Sequence, residues 1–201
     1  MSFSHVLTKI LLAGSKTDLV TLLATVTAIA YVFLALKENI WCWSFGIISS
    51  GLSIYIYYDQ SLSYEALLNV FYVALGIYGW AKWKSRSKSV GIEIRRIPSG
   101  SGLVLVLIGL LSGLLLGYLS VQFQLSTLPY SDAMITTYSL LATWMTAKKY
   151  IENWILWIVV DACAAILYFY KGPELYLFGS LFIFYTVMAL IGYYTWKKKL
   201  K

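Results

Sequence analysis

One acid, two indole rings and an amide stand within a single apolar stretch of the sequence. Trp154, Trp157 and Asp161 are spaced i, i+3 and i+7, and Asn153 precedes Asp161 by eight residues, which predicts one shared helical face. Aromatic faces attract a flat organic cation, and a carboxylate balances its charge. An acid inside an apolar helix is costly to bury and indicates function. We predict that these four residues bind substrate; alternatively, both tryptophans are interfacial anchors and Asp161 is a protonated core residue.

Two further stretches offer aromatic and polar groups for the same site. Trp41 and Ser49 share a helical face, and Trp43 belongs to an internal repeat. Asn69 and Tyr72 share another face, and the Asn69 amide could recognise the edge of a heteroaromatic ring. An interhelical hydrogen bond is the alternative role of this amide. We predict that all five residues bind substrate.

The sequence shows no pattern typical of catalysis or metal binding. The one histidine, His5, is near the N-terminus, and Cys42 and Cys163 lie in apolar runs as small core residues. A metal site needs several such ligands, and an intramembrane enzyme needs paired catalytic groups at one cavity. We therefore predict no enzyme, no metal and no cofactor.

The composition indicates a polytopic membrane protein. Of 201 residues, 60% are apolar and 12% are charged, whereas soluble chains carry about 25% charged residues. A soluble fold of this size could not cover so much apolar surface. Lysines and arginines in the cytoplasmic loops of a membrane protein explain the net charge of +7, so the charge is no evidence for nucleic-acid binding. The expected partner is the lipid bilayer.

Charged residues delimit seven apolar stretches, each close to the ~20 residues that a membrane helix needs. The predicted spans are 19–36, 39–58, 64–81, 103–121, 132–146, 153–170 and 175–196. The first is too long for the core of a signal peptide. In the fourth, Gly109, Gly113 and Gly117 predict a small-residue packing face. Glu65 and Asp132 are interpreted as solvated acids at helix starts.

The spans suggest two three-helix bundles joined by a linker helix. The predicted parts are an extension (1–17), a first bundle (18–83), a basic cytoplasmic loop (84–102), a linker helix (103–121) and a second bundle with a basic tail (130–201). Thirteen of the sixteen lysines and arginines fall on the side of the basic loop. Because basic residues favour the cytoplasm, the N-terminus is predicted outside and the C-terminus inside.

The two bundles share a sequence outline. The segment Glu38 to Trp43 matches Glu152 to Trp157 at an offset of 114, and Gly76 to Trp80 matches Gly192 to Trp196 at an offset of 116. One extra helix separates the triplets, so both have the same topology. Parallel repeats are typical of transporters that alternate access between two like halves. A chance match of two aromatic-rich segments is the alternative.

The stretches Lys148 to Trp157 and Phe71 to Trp83 resemble the signatures of the PnuC-type vitamin transporters. The similarity covers roughly residues 18–200. It implies a 3+1+3 arrangement of seven helices like that of the SWEET carriers, in the bacterial inner membrane. It also implies facilitated diffusion of a B-vitamin precursor, above all nicotinamide riboside, followed by trapping through phosphorylation. A homotrimer is allowed by the same analogy.

Three positions depart from the pattern expected for enteric nicotinamide riboside carriers. Ser49, Asn69 and Asp161 stand where that branch is expected to have Asn, Gln and Asn. A changed polar edge suggests another substrate, and thiamine, with its cationic thiazolium and aminopyrimidine, is preferred. Nicotinamide riboside, also a cation, is the alternative; riboflavin, a deoxynucleoside and a structural protein without substrate are weaker ones. Proton coupling through Asp161 stays open.

Overall fold

The computed structural model describes residues 16–59, 63–86 and 93–200, which form seven long helices. These are α1 (Lys16–Leu36), α2 (Trp41–Asp59), α3 (Ser63–Arg86), α4 (Ser101–Gln122), α5 (Pro129–Ala147), α6 (Glu152–Lys171) and α7 (Tyr176–Lys197). A short 3-10 turn, Pro173–Leu175, joins α6 to α7. The seven predicted spans are therefore helices. The predicted extension lies almost wholly outside the described residues, as does 87–92 of the basic loop.

Four of these helices are long and apolar enough to cross a membrane by length and composition alone. They are α1 from Leu19 onward, α4, α6 and α7. Their outer faces expose large apolar side chains, such as Leu111 on α4 and Ile166 on α6, which lipid can cover. By contrast α5 buries a row of hydroxyl side chains, including Thr136, Ser139 and Thr143. The polar faces are thus turned inward.

Each triplet packs in chain order, α1–α2–α3 and α5–α6–α7, and the triplets meet where α3 contacts α5 and α1 contacts α7. Among the described helices, α4 contacts α5 alone. A Cβ on Gly109, Gly113 or Gly117 would fall 2.4 to 2.5 Å from a side chain of α5. The small-residue face predicted for α4 therefore holds it against α5.

Both triplets contain the same tryptophan packing. Trp43 packs edge-on against Trp83, with ring centroids 5.5 Å apart, and Trp154 packs edge-on against Trp196 at 5.4 Å. The first ring of each pair also lies over a glycine of the third helix of its triplet. Trp43 of the first triplet is therefore the structural equivalent of Trp154 in the second.

The sequence match of the repeat was wrong by one helical turn. It paired Trp43 with Trp157 at an offset of 114, whereas the structure pairs Trp43 with Trp154 at 111 and Trp83 with Trp196 at 113. At an offset of 111, Trp157 corresponds to Gly46. Tryptophans three residues apart lie on nearly the same helical face, so sequence spacing alone did not distinguish the two registers.

Gly192→Ala is expected to destabilise the protein, because the new Cβ would lie 2.5 Å from a ring carbon of buried Trp154. Overpacking of this kind costs about 1–3 kcal/mol. We expect a melting temperature several degrees lower, measured by thermal unfolding in detergent. Gly51→Ala is the matched control, since nothing lies within 4 Å of its Cβ position. Equal melting temperatures for the two variants would contradict this packing.

Candidate functional site

A cavity of about 440 Å³ lies between the two triplets. Every helix except α4 contributes to its wall. The volume falls in the range of small-molecule sites, and an interface between two bundles is a common place for one. The cavity is therefore the candidate binding site among the described residues.

Seven of the nine predicted binding residues line this cavity. They are Trp43, Ser49, Asn69, Tyr72, Trp154, Trp157 and Asp161. They come from α2, α3 and α6, and so from both triplets. The structure thus brings together residues up to 118 positions apart in sequence, counted from Trp43 to Asp161. Their contact with a substrate stays a prediction.

Asp161 is the acid in the inner wall of the cavity, and only 5% of its surface is exposed. Among the described residues, no lysine or arginine forms an ion pair with it. Tyr72 and Tyr185 lie within electrostatic range of its carboxyl group. At an offset of 113 these two tyrosines correspond in the repeat. A buried carboxyl group that forms no ion pair with a described lysine or arginine, and that has aromatic rings nearby, suits a bound cation.

Asn153 and Trp41 do not line the cavity. Asn153 is fully buried; its amide donates to the Tyr150 carbonyl at 2.6 Å and its oxygen accepts from the Thr146 hydroxyl at 3.0 Å. Trp41 is 58% exposed and packs edge-on against Trp80. Asn153 precedes Asp161 by eight residues, and Trp41 precedes Ser49 by eight; Asp161 and Ser49 both line the cavity. Eight helical residues rotate roughly 80° beyond two full turns. That rotation takes both side chains off the cavity face.

Sequence reasoning missed several lining residues. Tyr185 on α7 lines the cavity, and the corrected repeat pairs it with Tyr72. Tyr31 on α1 and Ser139 on α5 also line the cavity. Single polar residues in apolar helices give no sequence signal of the direction in which they point.

Asp132 stands in the first turn of α5, as the sequence suggested, but its carboxylate is only partly exposed because it forms an ion pair. Both of its carboxylate oxygens lie 2.9 Å from the Lys171 ammonium group, and the Ser126 hydroxyl donates to it. All three residues line the cavity. The wall therefore carries an ion pair at the end of the bundle where α5 begins and α6 ends. The side chain of Glu65 lies outside the described part of the chain.

A second ion pair stands at the opposite end of the bundle and does not line the cavity. The Lys149 ammonium group lies 2.6 Å from the Glu38 carboxylate, and that of Lys199 lies 2.9 Å from it. Burial by itself would raise the pKa of Glu38, but hydrogen bonds and charge from the two lysines hold it below its usual value. The carboxylate is therefore ionised at neutral pH.

The family model and the relatives that match this chain are all named as transporters. Residues 18–198 match the family model described as Nicotinamide mononucleotide transporter. The nicotinamide riboside transporter PnuC of Escherichia coli (strain K12) is 25% identical, over 97% of this chain and 92% of that protein. The PnuC of Neisseria mucosa is 26% identical, over 89% and 72%. The riboflavin/roseoflavin transporter RibM of Streptomyces davaonensis is 24% identical, over 81% and 77%.

A solved structure shares the fold. The crystal structure of the vitamin B3 transporter PnuC superposes with a TM-score of 0.70 at 26% identity, and the match covers 90% of this chain and 81% of that one. None of the relatives described here is named for thiamine. The preference for thiamine that the three polar positions suggested therefore has no support from these relatives.

Proposed function

We propose a substrate and a mechanism from one premise: this chain belongs to the nicotinamide mononucleotide transporter family, the family of the PnuC-type vitamin transporters. It is a multi-pass inner-membrane transporter and not an enzyme. The substrate, the binding residues and the transport cycle are what we add to that premise.

The proposed substrate is nicotinamide riboside, whose flat pyridinium ring carries a positive charge. The observation that carries the proposal is Asp161, a buried acid of the cavity wall that forms no ion pair with a described lysine or arginine. We place the pyridinium ring against Trp157 and near Asp161, where stacking and charge both favour a cation. The amide of Asn69, on the α3 wall, has the donors and acceptor to pair with the carboxamide. The names of the PnuC relatives support the same choice.

The proposed mechanism is facilitated diffusion by alternating access. The two triplets rock against each other around the cavity, and α4 is the linker helix of a 3+1+3, SWEET-like arrangement. The helix contacts support this grouping, because each triplet packs within itself and α4 contacts only α5 among the described helices. We place the N-terminus outside and the basic end inside, where phosphorylation would trap the substrate. A homotrimer stays a prediction.

Riboflavin is the second candidate, because the relative RibM is named for it. Its isoalloxazine ring is uncharged and would stack on Trp157 without using the charge of Asp161. Thiamine carries a cation that Asp161 could balance, but no relative described here supports it. The charge of the substrate therefore distinguishes nicotinamide riboside from riboflavin, and direct competition distinguishes it from thiamine.

The first experiment measures binding to the purified protein by quenching of its tryptophan fluorescence. Nicotinamide riboside is expected to quench saturably, and thiamine and riboflavin are expected not to compete at equal concentration. Uptake of nicotinamide riboside into proteoliposomes without a pH gradient should follow its concentration gradient. Saturable binding of thiamine or riboflavin alone would replace the proposed substrate, and uptake that requires a pH gradient would exclude facilitated diffusion.

A further inference from the structure

The turn after α1 and the turn after α5 have the same backbone structure. Glu38 and Lys149 both have positive φ, 56° and 55°, which is uncommon for residues other than glycine. The following residues donate equivalent hydrogen bonds, from Asn39 N to the Leu34 carbonyl and from Tyr150 N to the Met145 carbonyl. Both correspondences have the offset of 111 that also relates Trp43 to Trp154. Glu38 and Lys149 are therefore the same position in the two triplets.

These two equivalent residues contact each other, at 2.6 Å between the Lys149 ammonium and the Glu38 carboxylate. In an arrangement with two-fold symmetry, a residue meets its own counterpart only at the axis. The ion pair therefore lies at the internal pseudo-two-fold axis. Opposite charges at equivalent positions make this contact attractive, whereas two identical charged residues at these positions would repel each other.

Two indole–carbonyl hydrogen bonds surround the ion pair, and each joins one triplet to the other. The Trp83 indole of α3 donates to the Ala147 carbonyl at the end of α5, and the Trp196 indole of α7 donates to the Leu36 carbonyl at the end of α1. Trp83 corresponds to Trp196 at an offset of 113, and Leu36 corresponds to Ala147 at an offset of 111, so the two hydrogen bonds are equivalent. The Lys149 ammonium also lies 4.7 Å from the centroid of Trp83. We call this set of Glu38, Lys149, Trp83 and Trp196 the latch.

The latch lies at one end of the cavity. Towards that end the lining includes Ala35, Trp43, Thr146 and Trp154, and none of the four latch residues is part of it. Towards the other end the lining continues to the level of the Asp132–Lys171 ion pair. The cavity is therefore separated from the basic end of the protein by the layer in which the latch lies.

From this geometry we infer that the latch is the cytoplasmic gate of the transport pathway. The inference rests on the proposed function, because only a transporter of this kind needs such a gate. Rocking the triplets apart at the basic end breaks the ion pairs of Glu38 with Lys149 and Lys199 and both indole bonds together, since all four contacts cross the same interface. A single change at the axis should therefore favour the open form of this end.

A native cysteine can report the opening. Cys42 is fully buried beside the latch, next to Trp43 at the start of α2, whereas Cys163 is exposed and is not the core residue that the sequence predicted. In a Cys163→Ser background, Cys42 is the only cysteine of the sequence. Alkylation of Cys42 by a small membrane-permeant maleimide therefore measures how often the layer opens, without any substrate.

We expect Glu38→Gln in this background to increase the alkylation rate of Cys42 about tenfold. The charge-swapped pair Glu38→Lys with Lys149→Glu, combined with Lys199→Gln so that no second ammonium group faces position 38, should return the rate towards the background, because the axis makes the two positions equivalent. Asp59→Asn is the matched control, since this exposed acid ends α2 at the opposite end of the bundle. Trp83→Phe, which keeps a ring and removes one indole bond, replaces Glu38→Gln if that variant does not fold.

Alkylation within twofold of the background, in a folded Glu38→Gln or Trp83→Phe variant, would overturn the gate. So would a charge-swapped pair whose rate equals that of Glu38→Gln. The gate and the proposed function can fail separately. Faster alkylation with no uptake of any vitamin, even by the background protein, would retain the latch as an opening layer and reject the transport of these substrates.

Discussion

Asp161→Asn is expected to weaken the binding of nicotinamide riboside by about thirty-fold or more, because removing one member of a desolvated charge pair costs about 2–5 kcal/mol. The amide keeps the size of the side chain and removes its charge. Asp161 is 5% exposed and forms no ion pair within the described part of the chain, so no described lysine or arginine can replace that charge. The measurement is the dissociation constant of the purified variant, obtained by titration calorimetry.

The reduced, uncharged form of nicotinamide riboside makes this test specific for charge. It has nearly the same shape, so its affinity should differ little between the native protein and Asp161→Asn. Asp59→Asn, at an exposed acid, should leave the affinity for both ligands within twofold. An equal loss for the charged and the uncharged ligand would mean that Asp161 supports the cavity wall and does not balance a cation.

Trp157→Ala is expected to weaken binding by about five- to hundred-fold, since stacking of a base on an aromatic ring contributes about 1–3 kcal/mol. Trp157 lines the cavity one helical turn from Asp161, so its ring can stack on the cation that Asp161 balances. Trp157→Phe should recover most of the affinity, because a flat ring remains. Calorimetry is preferred here as well, since the variant also loses a fluorophore.

Trp41→Ala is the matched control for this loss. Trp41 is exposed and does not line the cavity, so we expect an affinity within twofold of the native value. This variant also tests the sequence prediction that Trp41 binds substrate. A loss as large as that of Trp157→Ala would place the site elsewhere than in the cavity between the triplets.

The sequence by itself predicted the seven helices, since charges interrupt the apolar runs near the residues where α1 to α7 begin and end. It also predicted the packing of α4, because three glycines at four-residue spacing form one face whatever the helix packs against. Most of the candidate site followed from spacing: Trp154, Trp157 and Asp161 share the cavity wall that their i, i+3 and i+7 positions predicted. These are local properties, fixed by the geometry of a single helix.

Tertiary structure alone decided which faces meet. Asn153 and Trp41 do not line the cavity because a rotation of roughly 80° accumulates over eight residues. Tyr185 of α7 lines it, near Asp161 of α6. The true register of the repeat, and with it the equivalence of Glu38 and Lys149, depended on ring packing and turn geometry that sequence spacing cannot distinguish. Hydrophobicity specifies that a helix is buried in lipid or protein, whereas the contacts between helices specify the partner of each polar group.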